Sequence, residues 1–257
     1  MLLAATTMAL ALVSPPAHGT FDYQIGGAYQ PASSVSIVDR DWHASATADR
    51  YSICYVNAFQ TQPEGDRWWK AHHPHLLLRD TKGHLVEDPG WPGELLLDTS
   101  TAKHRNGIAA IVGSWMHTCH TKSFDAVEPD NLDSYTRSHR LLTRHDNLAL
   151  ARLLVGAAHS MGLAIAQKNG ADLATTGHDD IGFDFAIAEE CQVYRECASY
   201  RHAYGRHMIE IEYTDNGRQA FTAACGARGD AVSVVLRDRD VVPRGHRGYV
   251  ERWCPSP

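Results

Sequence analysis

The 257-residue sequence predicts an α/β protein, a (β/α)8 TIM barrel with a small β-hairpin insertion. Three observations lead there. Short apolar runs alternate with helical patterns along the chain, the order expected of successive βα units. Most of these runs are continuously apolar rather than alternating, as in parallel strands covered on both faces. The length is that of one such barrel, at about 250 residues, and no low-complexity linker divides the chain. A doubly wound open sheet is the competing fold, but no G-x-G-x-x-G or P-loop follows the first strand.

The chain opens on an apolar run that ends at Ser14, Pro15 and Pro16. It reads as the apolar region of a secretory signal and is too short to span a bilayer comfortably. Residues 1–19 are therefore expected to be a signal peptide. Residues 20–257 are expected to form one secreted domain, free of the membrane once the signal is removed. Six cysteines (Cys54, Cys119, Cys191, Cys197, Cys225 and Cys254) suit an exported chain with up to three disulfides. Cys191 with Cys197 is the most local pairing.

Nine strands are expected: Tyr23–Ile25, Val35–Val38, Tyr51–Val56, Leu95–Leu97, Phe124–Val127, Leu163–Ala166, Phe183–Ala188, Met208–Ile211 and Ala231–Leu236. That is one too many, so Tyr23–Ile25 or Ala231–Leu236 is expected outside the ring. Thr101–Cys119 places Ile108, Ile111, Val112, Trp115, Met116 and Cys119 on one helical face. Asn147 is the expected N-cap of a helix running to Met161, with Gly162 as its stop. Weaker helices are expected over Cys191–Tyr204 and Gly217–Cys225. His75–Asp88 reads as a β-hairpin turning at Lys82-Gly83, outside the barrel.

The formal charge is 24 − 30 = −6 and no basic stripe is present, so nucleic acid is not an expected partner. An acidic chain favours a cationic or neutral ligand. In a barrel every strand points its C-terminal end at one face, where catalytic groups collect. Here the exits are rich in acids and amides: Asp39-Arg40-Asp41, Asn57, Asp98, the run Glu128-Pro129-Asp130-Asn131 with Asp133, Gln167-Lys168-Asn169, Glu189-Glu190 and Glu212-Tyr213. One such acid is usually a helix cap; the whole set is harder to explain that way.

Paired carboxylates suit glycosidic cleavage, in which one is protonated and the other ionised. Tyr23, Tyr55, Phe59, Trp91, Trp115 and Tyr213 are the aromatics near the predicted mouth, although Trp115 lies on an apolar helix face and is expected in the core. His72, His73 and His75, and also His117 and His120, raise a metal-dependent hydrolase or deacetylase as an alternative. There is no H-E-x-x-H and no zinc-spaced cysteine pair, and no metal or cofactor is expected. A non-catalytic carbohydrate-binding barrel is the other alternative.

Five motifs in order resemble glycoside hydrolase family 114: FDYQIGG (21–27), ICYVNAFQ (53–60), FDAVEPDNLDSY (124–135), GLAIAQKN (162–169) and FDFAIAEECQVYREC (183–197). That resemblance implies a (β/α)8 barrel that hydrolyses α-1,4-linked galactosamine polymers internally, and the secreted chain is expected to be a monomer. It points to Asp130, with Glu128 beside it, and to Glu189, with Glu190 in reserve, as the catalytic acids. Strand alternation alone favours Glu190, because the bulky face of Phe183–Ala188 is expected toward the helices. Expected substrate contacts are Tyr23, Gln24, Tyr55, Asn57, Asp98, Asn131, Asp133, Lys168, Asn169 and Glu212. The family's Trp-rich first strand is replaced here by Phe21-Asp22-Tyr23-Gln24.

Overall fold

The computed structural model describes residues 12–255, so the apolar run of the expected signal peptide lies almost wholly outside the described residues. Eight strands run parallel in chain order, each bonded to the next: β1 (Phe21–Tyr23), β2 (Ile37–Asp41), β3 (Tyr51–Asn57), β4 (Ala126–Asp130), β5 (Ala164–Lys168), β6 (Phe185–Glu189), β7 (Met208–Tyr213) and β8 (Ser233–Arg237). β9 (Glu251–Trp253) pairs antiparallel with β8. The Trp253 indole donates 2.7 Å to the Phe21 carbonyl of β1, and Arg237 of β8 donates to the Tyr23 carbonyl, so the gap between last and first strands is bridged. The fold is the expected (β/α)8 barrel.

Side-chain alternation divides the core in two. Phe21, Tyr23, Ile37, Ile53, Phe185, Ile187, Ile209, Ile211 and Val235 fill the barrel interior. Cys54, Val56, Val127, Ile165, Ala186, Ala188, Val234 and Leu236 face the helices. On β6 the bulky residues point inward and the alanines outward, the reverse of the expected arrangement. The outer layer there already carries large side chains, the buried Tyr200 and Tyr204, so only alanine fits beneath them.

Among the helices are α1 (Asp66–His72), α2 (Ala102–Thr121), α3 (Arg144–Ser160), α4 (Ala174–Thr176), α5 (Cys191–Tyr194), α6 (Cys197–Tyr204) and α7 (Arg218–Arg228). α3 starts at Thr143, which forms a capping box with Asp146. Asn147 is therefore one turn inside the helix rather than at its cap. It is buried and donates to the Leu132 carbonyl and the Ser134 hydroxyl while accepting from Thr99. Gly162, with φ +76°, ends the segment as expected. The helix expected over Cys191–Tyr204 is two short ones, broken at Arg195, which has φ +61°.

The surplus strand is Leu95–Leu97. It makes only isolated bridges, to Gln60, Leu77 and Glu87, within the long insertion between β3 and α2. Tyr23–Ile25 shifts to Phe21–Tyr23, Ala231–Leu236 to Ser233–Arg237, and both belong to the ring. Disulfides join Cys54 of β3 to Cys119 of α2, Cys191 to Cys197, and Cys225 of α7 to Cys254 just after β9. No helix among the described residues is long and apolar enough to cross a membrane.

Candidate active site

Toward the C-terminal strand ends the barrel interior turns polar. Tyr23, Tyr55, Asp130, Lys168, Glu189 and Tyr213 point inward from β1 and from β3 to β7. They line a cavity of about 430 Å³, with Asn131, Asp133 and Asn169 on its rim. All eight parallel strands aim at this mouth, so residues distant in sequence converge by register alone.

Lys168 is the centre of the arrangement. It is almost fully buried, and its ammonium lies 2.7 Å from Glu128, 3.0 Å from the Tyr23 hydroxyl, and 3.5 Å from both Asp130 and Glu189. Burial alone would lower its pKa; Asp130, Glu128 and Glu189 outweigh that and hold it well above the ordinary lysine value. Lys168 is therefore a fixed positive charge.

Asp130 also accepts from the Tyr55 hydroxyl (2.9 Å) and the Asn131 amide (2.8 Å). Glu189 accepts from Tyr213 (2.5 Å) and the Asn169 side chain (2.7 Å). Burial and the adjacent carboxylates push the Tyr23, Tyr55 and Tyr213 phenols well above their usual range, so they remain neutral. Because one ammonium sits 3.5 Å from each carboxylate, the two oxygens can be no farther apart than twice that distance. That bound admits both glycosidase geometries, about 5–5.5 Å for a nucleophile and about 6.5–9.5 Å for a water-activating base.

Glu128 lies beneath the cavity, not in it. It is fully buried and forms the counter-charge below Lys168. Asp39 sits beside it; burial and the Glu128 charge push the Asp39 carboxyl well above the usual range. Glu190 follows Glu189 in the left-handed region, with φ +58°, and turns away to pair with Arg239 at 2.5 Å. Asn131 (φ +69°) and Asn169 (φ +53°) follow Asp130 and Lys168 in the same conformation. Three neighbouring strand exits therefore share one backbone turn.

The remaining expected contacts are scattered. Asn57 stands behind the rim, donating to Glu94 and accepting from Asn131. Gln24 is buried among Asp22, Arg40 and the Tyr29 amide. Asp98 is tied to His104 and Ser100 at the start of α2. Glu212 faces outward from β7 and accepts from the Gln192 amide, and burial raises its carboxyl to about 7.

The insertion supplies residues that the strand-exit rule could not find. Glu94 lines the cavity, and one of its oxygens accepts from both Gln60 (2.6 Å) and Asn57 (3.2 Å). Burial raises this carboxyl to about 7, and among the described residues it forms no ion pair. Asp88, also in the insertion, is bonded by Arg137 at 2.6 Å; Arg137 reaches Asp133 and Asn131 as well. This network fastens the insertion to the β4 exit. Of the clusters of three metal-ligating side chains, the described residues hold one, Cys191, Cys197 and Glu210, and its two cysteines are joined in a disulfide.

The fold resembles two solved structures over most of its length. One is Ega3 from Aspergillus fumigatus in complex with galactosamine: TM-score 0.74, 22% identity, covering 98% of this chain and 100% of that one. The other is the glycoside hydrolase domain of PelA from Pseudomonas aeruginosa: TM-score 0.58, 12% identity, covering 88% and 96%. No curated protein sequence matches significantly. The model of glycoside-hydrolase family GH114 matches residues 3–256. A barrel with an acid-rich mouth is thus joined to a sequence match along nearly the whole chain, and the protein belongs to glycoside-hydrolase family GH114.

Proposed function

We propose that this glycoside hydrolase cleaves the interior bonds of α-1,4-linked galactosamine-containing polysaccharide, with Asp130 and Glu189 as its carboxylate pair. The observation that carries the assignment is the Lys168 ammonium, 3.5 Å from each acid. One acid must donate a proton to the leaving oxygen; the other must stay ionised to attack the anomeric carbon or to activate water. A cation between them supports the ionised partner, and Tyr55 and Tyr213 hold each carboxylate in place without adding charge.

The substrate follows from charge as well as kinship. Glu94 faces the same cavity without a cation of its own, so the ammonium of a deacetylated hexosamine would complete it. Ega3, the structural relative described above, holds galactosamine. Three disulfides suit a secreted enzyme, and we expect it to act as a monomer.

The test is release of reducing ends from purified polygalactosamine. Asp130→Asn and Glu189→Gln should each lower kcat at least about 10²-fold without lowering the melting temperature. Full activity in either variant removes that residue from the pair. No cleavage of galactosamine polymers, with cleavage of another glycan, overturns the substrate and keeps the class.

A further inference from the structure

Beside the catalytic cavity lies a second one, of about 680 Å³, that the chemistry above does not use. Most of its lining comes from the segments that follow the C-terminal ends of β1, β2 and β3, and Trp115 is added from α2. Ile25, Gly26 and Gln62 line both cavities. Its floor is built of tryptophans. Trp42 and Trp115 stack nearly parallel, with centroids 5.3 Å apart, and Trp69 packs edge-on to Trp115 at 5.8 Å. Trp68 packs edge-on to Trp69 at 5.3 Å, stacks on His72 at 5.4 Å and remains 40% exposed.

Leaving a tryptophan exposed is costly, since its ring would gain by burial. Two tryptophans among the described residues are nevertheless well exposed. Trp91 is on the rim of the catalytic cavity and Trp68 is in this groove. Asp41 adds charge. Gln62 donates to one of its oxygens at 2.8 Å and the exposed His43 meets the other at 2.6 Å. Lys122 pins the Trp42-His43 loop by donating to both carbonyls. An aromatic face beside a carboxylate suits a ligand with an apolar ring face and a positive charge. An amino sugar has both: its ring carbons lie on the indole, and its ammonium is attracted to the indole face and to the acid.

We propose that the tryptophan groove is a second saccharide subsite, which holds outer amino-sugar units of the polymer whose scissile bond occupies the catalytic cavity. The inference rests on the proposed substrate. Binding there favours long substrates over short ones and cleavage within a chain over cleavage at its end.

The experiment uses Trp68→Ala, an exposed position away from the carboxylate pair, and Asp41→Asn. KM for polygalactosamine should rise about fivefold in Trp68→Ala. kcat/KM for an oligosaccharide short enough to fill only the catalytic cavity should stay within about twofold of wild type by the same measure. Asp41→Asn should weaken binding of the deacetylated polymer more than of the N-acetylated one. Unchanged polymer kinetics, or equal losses on long and short substrates, overturn the subsite. Retardation of Trp68→Ala in gels containing the polymer is measured in parallel. If wild type cleaves no galactosamine polymer, the proposed activity fails. Weaker retardation of Trp68→Ala than of wild type then still supports the groove, and equal retardation overturns it.

Discussion

Replacing Lys168 with Met should produce a stability loss that depends on pH. Lys168 and Glu128 are both buried and 2.7 Å apart, so removing the cation strands Glu128 as an unpaired charge beneath the cavity. The protein's escape is to protonate it. At pH 7, protonating a carboxyl whose unfolded pKa is about 4.3 costs about 4 kcal/mol, at 1.36 kcal/mol per pH unit. At pH 5 the same step costs about 1 kcal/mol. In the variant the stranded charge is relieved only by taking up a proton, so stability is retained at low pH and lost as pH rises. Thermal unfolding should therefore show Lys168→Met melting about 8–16 °C below wild type at pH 7 and only a few degrees below at pH 5. The double variant Lys168→Met, Glu128→Gln should recover most of the loss at pH 7 but none of the activity, because Asp130 and Glu189 still lack their shared cation. Equal destabilisation at both pH values, or a double variant no more stable than the single one, would refute the charge-centred account.

Other outcomes follow from the same structure. Glu94, raised to about 7 by burial, should improve binding of a cationic substrate as pH rises through neutrality; Glu94→Gln should flatten that dependence of KM. Glu212 is also raised to about 7. Its contribution to stability is present below its unfolded pKa and lost as pH rises through 7, so Glu212→Gln should melt with a shallower decline between pH 5 and 7. The Cys54–Cys119 disulfide closes a 65-residue separation; replacing both cysteines with serine should cost about 2–4 kcal/mol in denaturant unfolding.

The ring was legible in the sequence because buried parallel strands leave uninterrupted apolar runs. Eight such runs mark ring strands, within a few residues. Leu95–Leu97 has the same signature for another reason: the insertion folds against α2 and buries Leu95 and Leu97 in the outer core. Three leucines cannot report which sheet they belong to. β9, Glu-Arg-Trp, has no apolar run at all, since its place depends on the gap between β8 and β1. At the mouth, strand exits located Asp130, Lys168 and Glu189. They misplaced Glu212, whose strand turns its even positions outward, and Asp98, which follows no ring strand. Glu94 and Asp88 were invisible because the insertion has no exit rule. Asn131 and Asn169 carried a readable signal, as asparagine tolerates the left-handed region better than most residues.

The shared turn after Asp130, Lys168 and Glu189 bears on how this mouth should be mutated. Asn131, Asn169 and Glu190 all hold positive φ, where a Cβ costs about 1–2 kcal/mol. An alanine there loses the side chain while keeping the cost, and without the local hydrogen bonds that offset it. Alanine scanning would therefore report backbone displacement of the neighbouring acid or lysine as if it were lost contact with substrate. Glycine removes the same side chains and accepts the same torsion. Comparing glycine with alanine at each exit separates what the side chain does from what the turn does.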